Sequence, residues 1–272
     1  MTDYVATAST LQDALGLKLP PIAVCLADTI PPGVPAHQGQ VPAGCVFWEQ
    51  AADGAFWTAA PDHELCAVGV HTHHLADPSS RYPGELASVL KVMAGMEYVR
   101  EQEVEKIPVL GAPVKHVIYA PLARTPLPPD VVLLFAHSRQ GLVITEAIQQ
   151  VDLDVPPALG RPACAMVPQA INSGRAALSL GCCGARAYLD NLTDDTALWA
   201  LPGEKIALYA VRIARLAAAH DVILPTPTHG EIRLRCVTQP DAARPHCSIA
   251  SGSCYRNASV SRRSPSPRPP RP

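Results

Sequence analysis

A cysteine pattern that occurs twice constrains this chain more than any other feature of its sequence. The pattern Cys-x4-Gln-Ala begins at Cys45 and again at Cys164, and each copy is followed by a glycine and then by a further cysteine, Cys66 or Cys182. A short apolar run of strand length precedes each copy. The same order of parts in both places predicts an internal duplication, folded as two similar halves of one sheet.

The periodicity of apolar residues predicts a mixture of helices and strands. Apolar residues at helical spacing between Leu86 and Met93 predict a packing helix. The run VKHVIYAPL (114–122) and the run VVLLFAH (131–137) are interpreted as paired strands joined by the Pro-rich TPLPPD. Further strands are predicted at 22–28, 55–60 and 176–184, and further helices near 5–16, 45–52, 66–75, 144–151 and 206–217 and after Cys164.

These elements predict an α/β fold with a mixed sheet, in a single domain over residues 1–225. Its two strand–helix–strand–helix halves are expected at about 20–110 and 111–225. The irregular, Pro-rich connection 29–44 is long for a compact domain, so it is interpreted as a binding loop. Residues 226–272 are rich in Pro, Ser and Arg and have no apolar period, which predicts a disordered tail.

The charge balance excludes several classes of partner. A net charge of −2 and a pI near 6.5 provide no basic surface for nucleic acid or for an anionic membrane. A small molecule is therefore the expected partner, and a homo-oligomer is left open. No signal peptide or membrane span is evident, so a cytoplasmic protein is expected, in which the nine cysteines stay reduced.

The four patterned cysteines have the residue type and number of a metal site. A helix N-terminus favours a thiolate over a thiol, and both Cys45 and Cys164 are expected at helix starts. Four sulfur ligands suit an iron–sulfur cluster or zinc, although the spacings C-x20-C and C-x17-C match no compact finger. The predicted ligands are Cys45, Cys66, Cys164 and Cys182. The alternative is that these cysteines bind no metal and pack in the core.

Other polar residues are candidates for a role beside the cysteines. His73 lies two helical turns after Cys66, and Arg186 follows the Gly-Cys-Cys-Gly turn, so either could orient a substrate. A solvated histidine cluster and an ion pair of Arg186 with Asp194 or Asp195 are the alternatives. Those two acids could equally cap a helix formed by TALWALPG. His63 is interpreted either as a polar neighbour of an N-cap or as part of a proton-handling pair with Asp62.

Two cysteines are predicted outside the ligand set. Consecutive residues of a strand point to opposite faces, so only one of Cys182 and Cys183 can face the site, and the alignment with Cys66 favours Cys182. Cys25 lies in the middle of an apolar strand and is predicted to belong to the core.

Three stretches together resemble a known family. They are LGLKLPPIAV, CVFWEQAADGAFWTAAPDHELCAVGVHTH, and RPACAMVPQA followed by LSLGCCGARAYLDNLTDDTALWALPG. They are similar to the domain of unknown function 169 family of bacteria and archaea, over roughly residues 8–225. The resemblance implies a single α/β domain whose cysteines at positions 45, 66, 164 and 182 are shared with relatives. It implies no established reaction. The second cysteine of the Gly-Cys-Cys-Gly block and the tail after about residue 235 depart from the family pattern.

Three functional hypotheses follow from these residues. The first is an iron–sulfur or metal protein with redox or Lewis-acid chemistry, in which a small substrate enters under the 29–44 loop. The second is a non-catalytic carrier or sensor of a small ligand, with structural cysteines. The third is a thiol-nucleophile enzyme that uses Cys182 or Cys66, with His73 as the base.

Overall fold

A computed structural model describes residues 2–75 and 82–223, and within this part of the chain there are seven strands and nine α-helices. The strands are β1 (Ile22–Ala27), β2 (Phe56–Thr58), β3 (His116–Pro121), β4 (Val131–His137), β5 (Ala158–Leu159), β6 (Ala177–Ser179) and β7 (Thr196–Pro202). The helices are α1 (Tyr4–Leu15), α2 (Val46–Gln50), α3 (Ala67–Thr72), α4 (Tyr82–Gly95), α5 (Glu101–Val104), α6 (Ser138–Val151), α7 (Met166–Ser173), α8 (Cys183–Tyr188) and α9 (Ile206–Ile223).

All seven strands belong to one mixed sheet with the order β2-β3-β1-β4-β7-β6-β5. The pairs are antiparallel except β5–β6, which is parallel. The predicted α/β fold with a mixed sheet is confirmed. The predicted pairing of β3 with β4 is wrong, because β1 lies between them and pairs antiparallel with both.

The two faces of the sheet are covered by different helices. Alternate residues of β1 separate accordingly, with Val24 in the core beneath α2, α3, α7 and α8 and Cys25 in the core beneath α1, α6 and α9. Strand β4 is buried on both faces along almost its whole length, which explains why its sequence is a continuous apolar run and not an alternating one. Helix α4 has the predicted packing role at Leu86, which is buried on the sheet face covered by α2, α3, α7 and α8.

The order of the strands is symmetrical about the β1–β4 pair. From the centre outwards, one side runs β1, β3, β2 and the other runs β4, β7, β6. Each strand pairs antiparallel with its neighbour in this series, on both sides. The sheet therefore has the arrangement that two similar halves would produce. The duplication and its predicted halves stay predictions; β3 lies after the predicted boundary at about 110, although the strand order groups it with β1 and β2.

Two local predictions are corrected by the structure. A helix over TALWALP capped by Asp194 or Asp195 was one alternative, and it is wrong, because this segment forms β7 and pairs with β4 along its whole length. Helix α6 begins six residues earlier than the predicted 144, because a reciprocal cap joins His137 and Gln140 at its start.

Within the described residues, no helix combines the length and the apolar character needed to cross a bilayer. The predicted disordered tail, 226–272, lies outside the described residues, as do its three cysteines. The remaining cysteines are all free thiols.

Candidate functional site

A cavity of about 340 Å³ opens on the sheet face that carries α2, α3, α7 and α8. Five cysteines line it, and most of the other lining side chains are apolar. We call this cavity the cysteine chamber. Its cysteines are Cys45, Cys66, Cys164, Cys182 and Cys183. The end of the predicted binding loop also reaches it, through Pro42 and Ala43.

The four cysteines predicted as ligands all lie where a helix begins. Cys45, Cys66 and Cys182 are the residues immediately before α2, α3 and α8. Cys164 lies in a single 3₁₀ turn that leads into α7. The four sulfurs are near enough to interact electrostatically, since the charges of the other three all act on the Cys164 thiol. The structure thus brings the predicted set to one chamber, and ligation of a metal stays a prediction.

Burial keeps three of these thiols protonated in the protein alone. It raises the pKa of Cys45 to about 12, and the neighbouring Cys66 and Cys182 add to the shift. Burial also raises the pKa of Cys66, although the backbone N–H groups of Gly44 and Gly69 partly oppose it. Burial likewise raises the pKa of Cys164 well above the usual value of a thiol. A cation in the chamber would reverse this balance, because it favours thiolates.

His63 lies directly behind Cys66 and was not among the predicted site residues. Its Nε2 is 3.1 Å from the Thr58 hydroxyl, which is 3.4 Å from the Val117 carbonyl oxygen and donates to it. The hydroxyl therefore accepts from Nε2–H, and the lone pair of His63 is on Nδ1. That atom is buried and has no hydrogen-bond partner among the described residues. A Cβ placed on Gly44 would be 2.7 Å from this Nδ1 and 3.9 Å from the Cys66 sulfur.

His73 is buried below the chamber and does not line it. Its Nδ1 is 3.1 Å from the Gly69 carbonyl oxygen, to which it donates, so the lone pair is on Nε2. Like the His63 nitrogen, this Nε2 has no partner in the described part of the chain. Burial lowers the pKa of His73 to about 4 and that of His63 to about 3. Both imidazoles are therefore neutral at physiological pH, and their ring centres are 6.3 Å apart.

Tyr119 is the third buried polar group on this face. Its hydroxyl has no partner among the described residues, and its ring stacks on Phe47 with centres 5.7 Å apart. Burial raises its pKa, and the charges of Cys164, Cys66 and Cys45 add to the shift. The hydroxyl is therefore a protonated donor in the core on the sheet face that carries the chamber.

Arg186 is held by backbone carbonyls and does not line the chamber. Its guanidinium donates to the oxygens of Leu180, Leu192, Thr193 and Thr196. These bonds join the turn before Cys182 to the start of β7. Arg186 thus fixes the backbone that leads into Cys182 and α8. Among the described residues it makes no hydrogen bond to Asp194 or Asp195, the partners of the predicted ion pair.

The two remaining described cysteines differ from the predicted ligands. Cys25 lies on the opposite face of the sheet, where its sulfur is 3.5 Å from the Thr125 hydroxyl. Its expected place in the core is therefore observed. Cys183 is exposed and lies at the chamber beside Cys182, so both residues of the pair reach it. The strand alternation that was expected to separate them does not apply, because β6 ends at Ser179 and Cys183 already belongs to α8.

The cysteines line a cavity and are not grouped around a single position. Among the described residues, no three side chains of His, Cys, Asp or Glu are grouped closely enough to hold a single metal ion. A tetrahedral zinc site with Zn–S bonds of about 2.3 Å needs sulfurs about 3.8 Å apart. The chamber as it stands is more open than such a site.

Comparisons with known proteins give one match. The profile of the DUF169 family, described as "Uncharacterised ArCR", matches residues 10–210. No curated protein and no solved structure matches the chain.

Proposed function

The chain belongs to the DUF169 family, since the match covers most of its length, and from this premise we propose that the cysteine chamber binds an iron–sulfur cluster. The observation that carries the proposal is the convergence of four cysteines from four separate helix starts on one cavity. Burial alone would not require four thiols in the wall of the same cavity. The proposed ligands are Cys45, Cys66, Cys164 and Cys182.

The openness of the chamber favours a cluster over zinc. A cluster places several irons and sulfides between its four cysteines, so the cysteine sulfurs can lie farther apart than around one ion. The raised thiol pKa values are consistent with this proposal, because ligation would release the protons that burial retains. Zinc is the alternative, and it would require the four sulfurs to move together.

Three polar side chains outside the ligand set have supporting roles in the proposal. The Tyr119 hydroxyl is a buried donor on the same sheet face, and a hydrogen bond from it to a ligand sulfur would tune the potential of the cluster. His73 and Arg186 were predicted to orient a substrate, and in this proposal their role is indirect, because neither lines the chamber. In the proposal, His73 supports α3 through Gly69, and Arg186 supports the turn before α8. With reduced thiols the cytoplasm remains the expected compartment.

Anaerobic reconstitution with iron and sulfide tests the proposal. We expect a brown protein with broad visible absorption and about four irons and four sulfides per chain, or about two of each for a smaller cluster. Cys45→Ala and Cys182→Ala, one from each half, should lose most of the bound iron. Cys25→Ala, a buried cysteine on the opposite face, is the matched control and should keep it.

Three outcomes would count against the cluster. A colourless, folded protein after reconstitution would refute it, and so would an equal loss of iron in the Cys25→Ala control. Zinc found by elemental analysis, at about one ion per chain and lost in Cys45→Ala, would replace the cluster by the alternative metal.

A non-catalytic carrier is the second candidate, and one observation favours it. The chamber has apolar walls and neutral thiols, which suits a small apolar ligand without any metal. A metal-free protein that still binds a ligand in the chamber would support it. The thiol-nucleophile hypothesis ranks below both, because its predicted base, His73, does not line the chamber and has a pKa that burial lowers to about 4. Burial also raises the pKa of Cys66, which disfavours its thiolate.

A further inference from the structure

The outer part of the cysteine chamber is lined by apolar side chains from α4 and from the segment around α5. On this side Leu90 and Met93 contribute from α4, and Val99 and Ile107 from the segment. They face Ala185 and Tyr188 of α8 across the cavity. A ligand that occupied this space would be surrounded by hydrocarbon between the rim and the sulfurs.

One cation lies at the rim. Arg161 lines the cavity, and its guanidinium lies over the Tyr98 ring at 4.8 Å from the ring centre. It also donates a hydrogen bond to the Tyr98 carbonyl oxygen. These two contacts hold the planar group in place at the rim. The other guanidinium N–H groups make no hydrogen bond to a described residue, so a two-pronged donor surface remains for a ligand.

Two charged residues line the cavity, and one of them already has a partner outside it. Glu103 is the other charged residue of the lining, among the residues that the structure describes. Its carboxylate pairs with Arg100 at 2.7 Å, so Glu103 is already neutralised by a neighbour. The lining therefore carries one charge of each sign, and because Arg100 binds the Glu103 carboxylate directly, Arg161 is the cation available to a ligand. An anionic group at Arg161 is therefore favoured over a cationic or a neutral one.

We propose that the cysteine chamber binds a monocarboxylic acid with an unbranched apolar body. The carboxylate pairs with Arg161, and the body lies along α4 and α8 towards the sulfurs. This inference goes beyond the proposed function, with which it shares the chamber, by naming the chemical class of a small molecule. A cavity of about 340 Å³ suits a small ligand of this kind. Nucleotides are disfavoured, because the lining carries a single cation and no glycine-rich phosphate loop.

Calorimetric titration of the protein with octanoate, hexanoate, octanol and octylamine tests the inference. Octanoate should bind at least tenfold more tightly than octanol, because a hydrogen-bonded charge pair at Arg161 is lost in the alcohol. Octylamine should bind more weakly than both. Two methylene groups should separate octanoate from hexanoate by about fifteenfold, if the body is buried in hydrocarbon.

Two arginine variants locate the carboxylate. Arg161→Gln should weaken octanoate binding at least tenfold and leave octanol binding unchanged. Arg161→Lys keeps the charge but not the planar fork, and an intermediate affinity is expected. Arg175→Gln removes an exposed arginine that does not line the chamber and is the matched control, with affinity expected to equal the wild type. Thermal unfolding of each variant verifies that it folds.

Several results would overturn the inference. Equal binding of octanoate and octanol to the wild type would do so without any variant, and so would absence of octanoate binding. Unchanged octanoate affinity in Arg161→Gln would do so as well. Iron content and visible absorption test the proposed cluster independently of octanoate binding. Arg161-dependent binding to a protein that never holds iron would refute the cluster alone, whereas an iron-loaded protein without that dependence would refute the carboxylate site alone.

Discussion

Replacement of Gly44 by alanine tests the packing of His63 behind the cysteine chamber. The added Cβ would lie 2.7 Å from His63 Nδ1, whereas ordinary contacts begin at 3.4 Å, an overlap of 0.7 Å (3.4 − 2.7). The ring cannot easily move away. It is buried, its Nε2 is 3.1 Å from the Thr58 hydroxyl, and Phe47 packs on it with centres 4.9 Å apart.

The expected cost follows from this overlap. Overpacking of a well-packed interior destabilises proteins by about 1–3 kcal/mol. Any glycine-to-alanine change also restricts the unfolded chain, which stabilises the native state by about 0.4–1 kcal/mol. Gly54→Ala is a matched control for this second effect, because nothing lies within 4 Å of its new Cβ. We therefore expect Gly44→Ala to be less stable than Gly54→Ala by about 1–3 kcal/mol.

Urea unfolding measures this difference, and a double-mutant cycle assigns it to the ring. His63→Ala removes the side chain that Gly44→Ala would strike. In that background Gly44→Ala should cost no more than Gly54→Ala does, which gives a coupling energy of about 1–3 kcal/mol between positions 44 and 63. If Gly44→Ala matches Gly54→Ala in the wild type, or costs the same with and without His63, the close approach of His63 to Gly44 is refuted.

Three further predictions concern the rest of the described chain. Asp152→Asn should lower the unfolding free energy by about 2–3 kcal/mol in urea titrations, because the buried carboxylate accepts from Tyr209, Lys205 and the Ala176 N–H; Asp28→Asn, in an exposed pair with Lys115, should cost less than about 0.5 kcal/mol. Burial lowers the pKa of His63 to about 3 and that of His73 to about 4, so the unfolded chain binds more protons below its histidine pKa of about 6.5. Stability should therefore fall as the pH decreases from about 6.5 towards 4, by on the order of 1 kcal/mol per pH unit for each histidine, and a slope in urea midpoints that His73→Gln does not reduce would contradict this. In metal-free protein, iodoacetamide should modify the exposed Cys183 first and Cys45 and Cys164 only on unfolding, as peptide mass mapping can follow.

The repeated cysteine pattern was the most informative part of the sequence. Its spacing predicted helix starts at Cys45 and Cys164, and the structure has a helix or 3₁₀ turn at both. It also selected the four cysteines that line one cavity, in preference to Cys25 on the other face. The pattern therefore predicted where these helices begin and which cysteines belong together.

The neighbours of each strand could not be predicted in the same way. Strands β3 and β4 follow one another with a Pro-rich turn between them, which is the ordinary signature of a hairpin. Strand β1, about ninety residues before β3, enters between them. All three strands are buried on both faces, so their apolar runs contain no alternation that would distinguish one partner from another. The segment TALWALP was ambiguous for a similar reason, since a short apolar run fits a helix or a strand.

From the sequence, His63 was considered only as a neighbour of Asp62 and Arg161 was not singled out, because nothing local places either residue at the chamber. His63 owes its position to Thr58 on β2 and to the glycines at 44 and 69. Arg161 owes its position to Tyr98, more than sixty residues earlier in the chain. Besides its position next to Asp62, His63 comes three residues before Cys66, and a lone H-x2-C pair occurs by chance in many chains.

The symmetrical order of the strands has a consequence for how the chamber could be divided. Cys45 and Cys66 come from the chain before β4, and Cys164 and Cys182 from the chain after it. A polypeptide cut in the segment between β3 and β4 would leave each fragment with two of the four thiols and with one bare edge, β1 or β4. Those edges are complementary, so the fragments, co-expressed as a split protein, should reassemble along them and regain a chamber that neither fragment has alone.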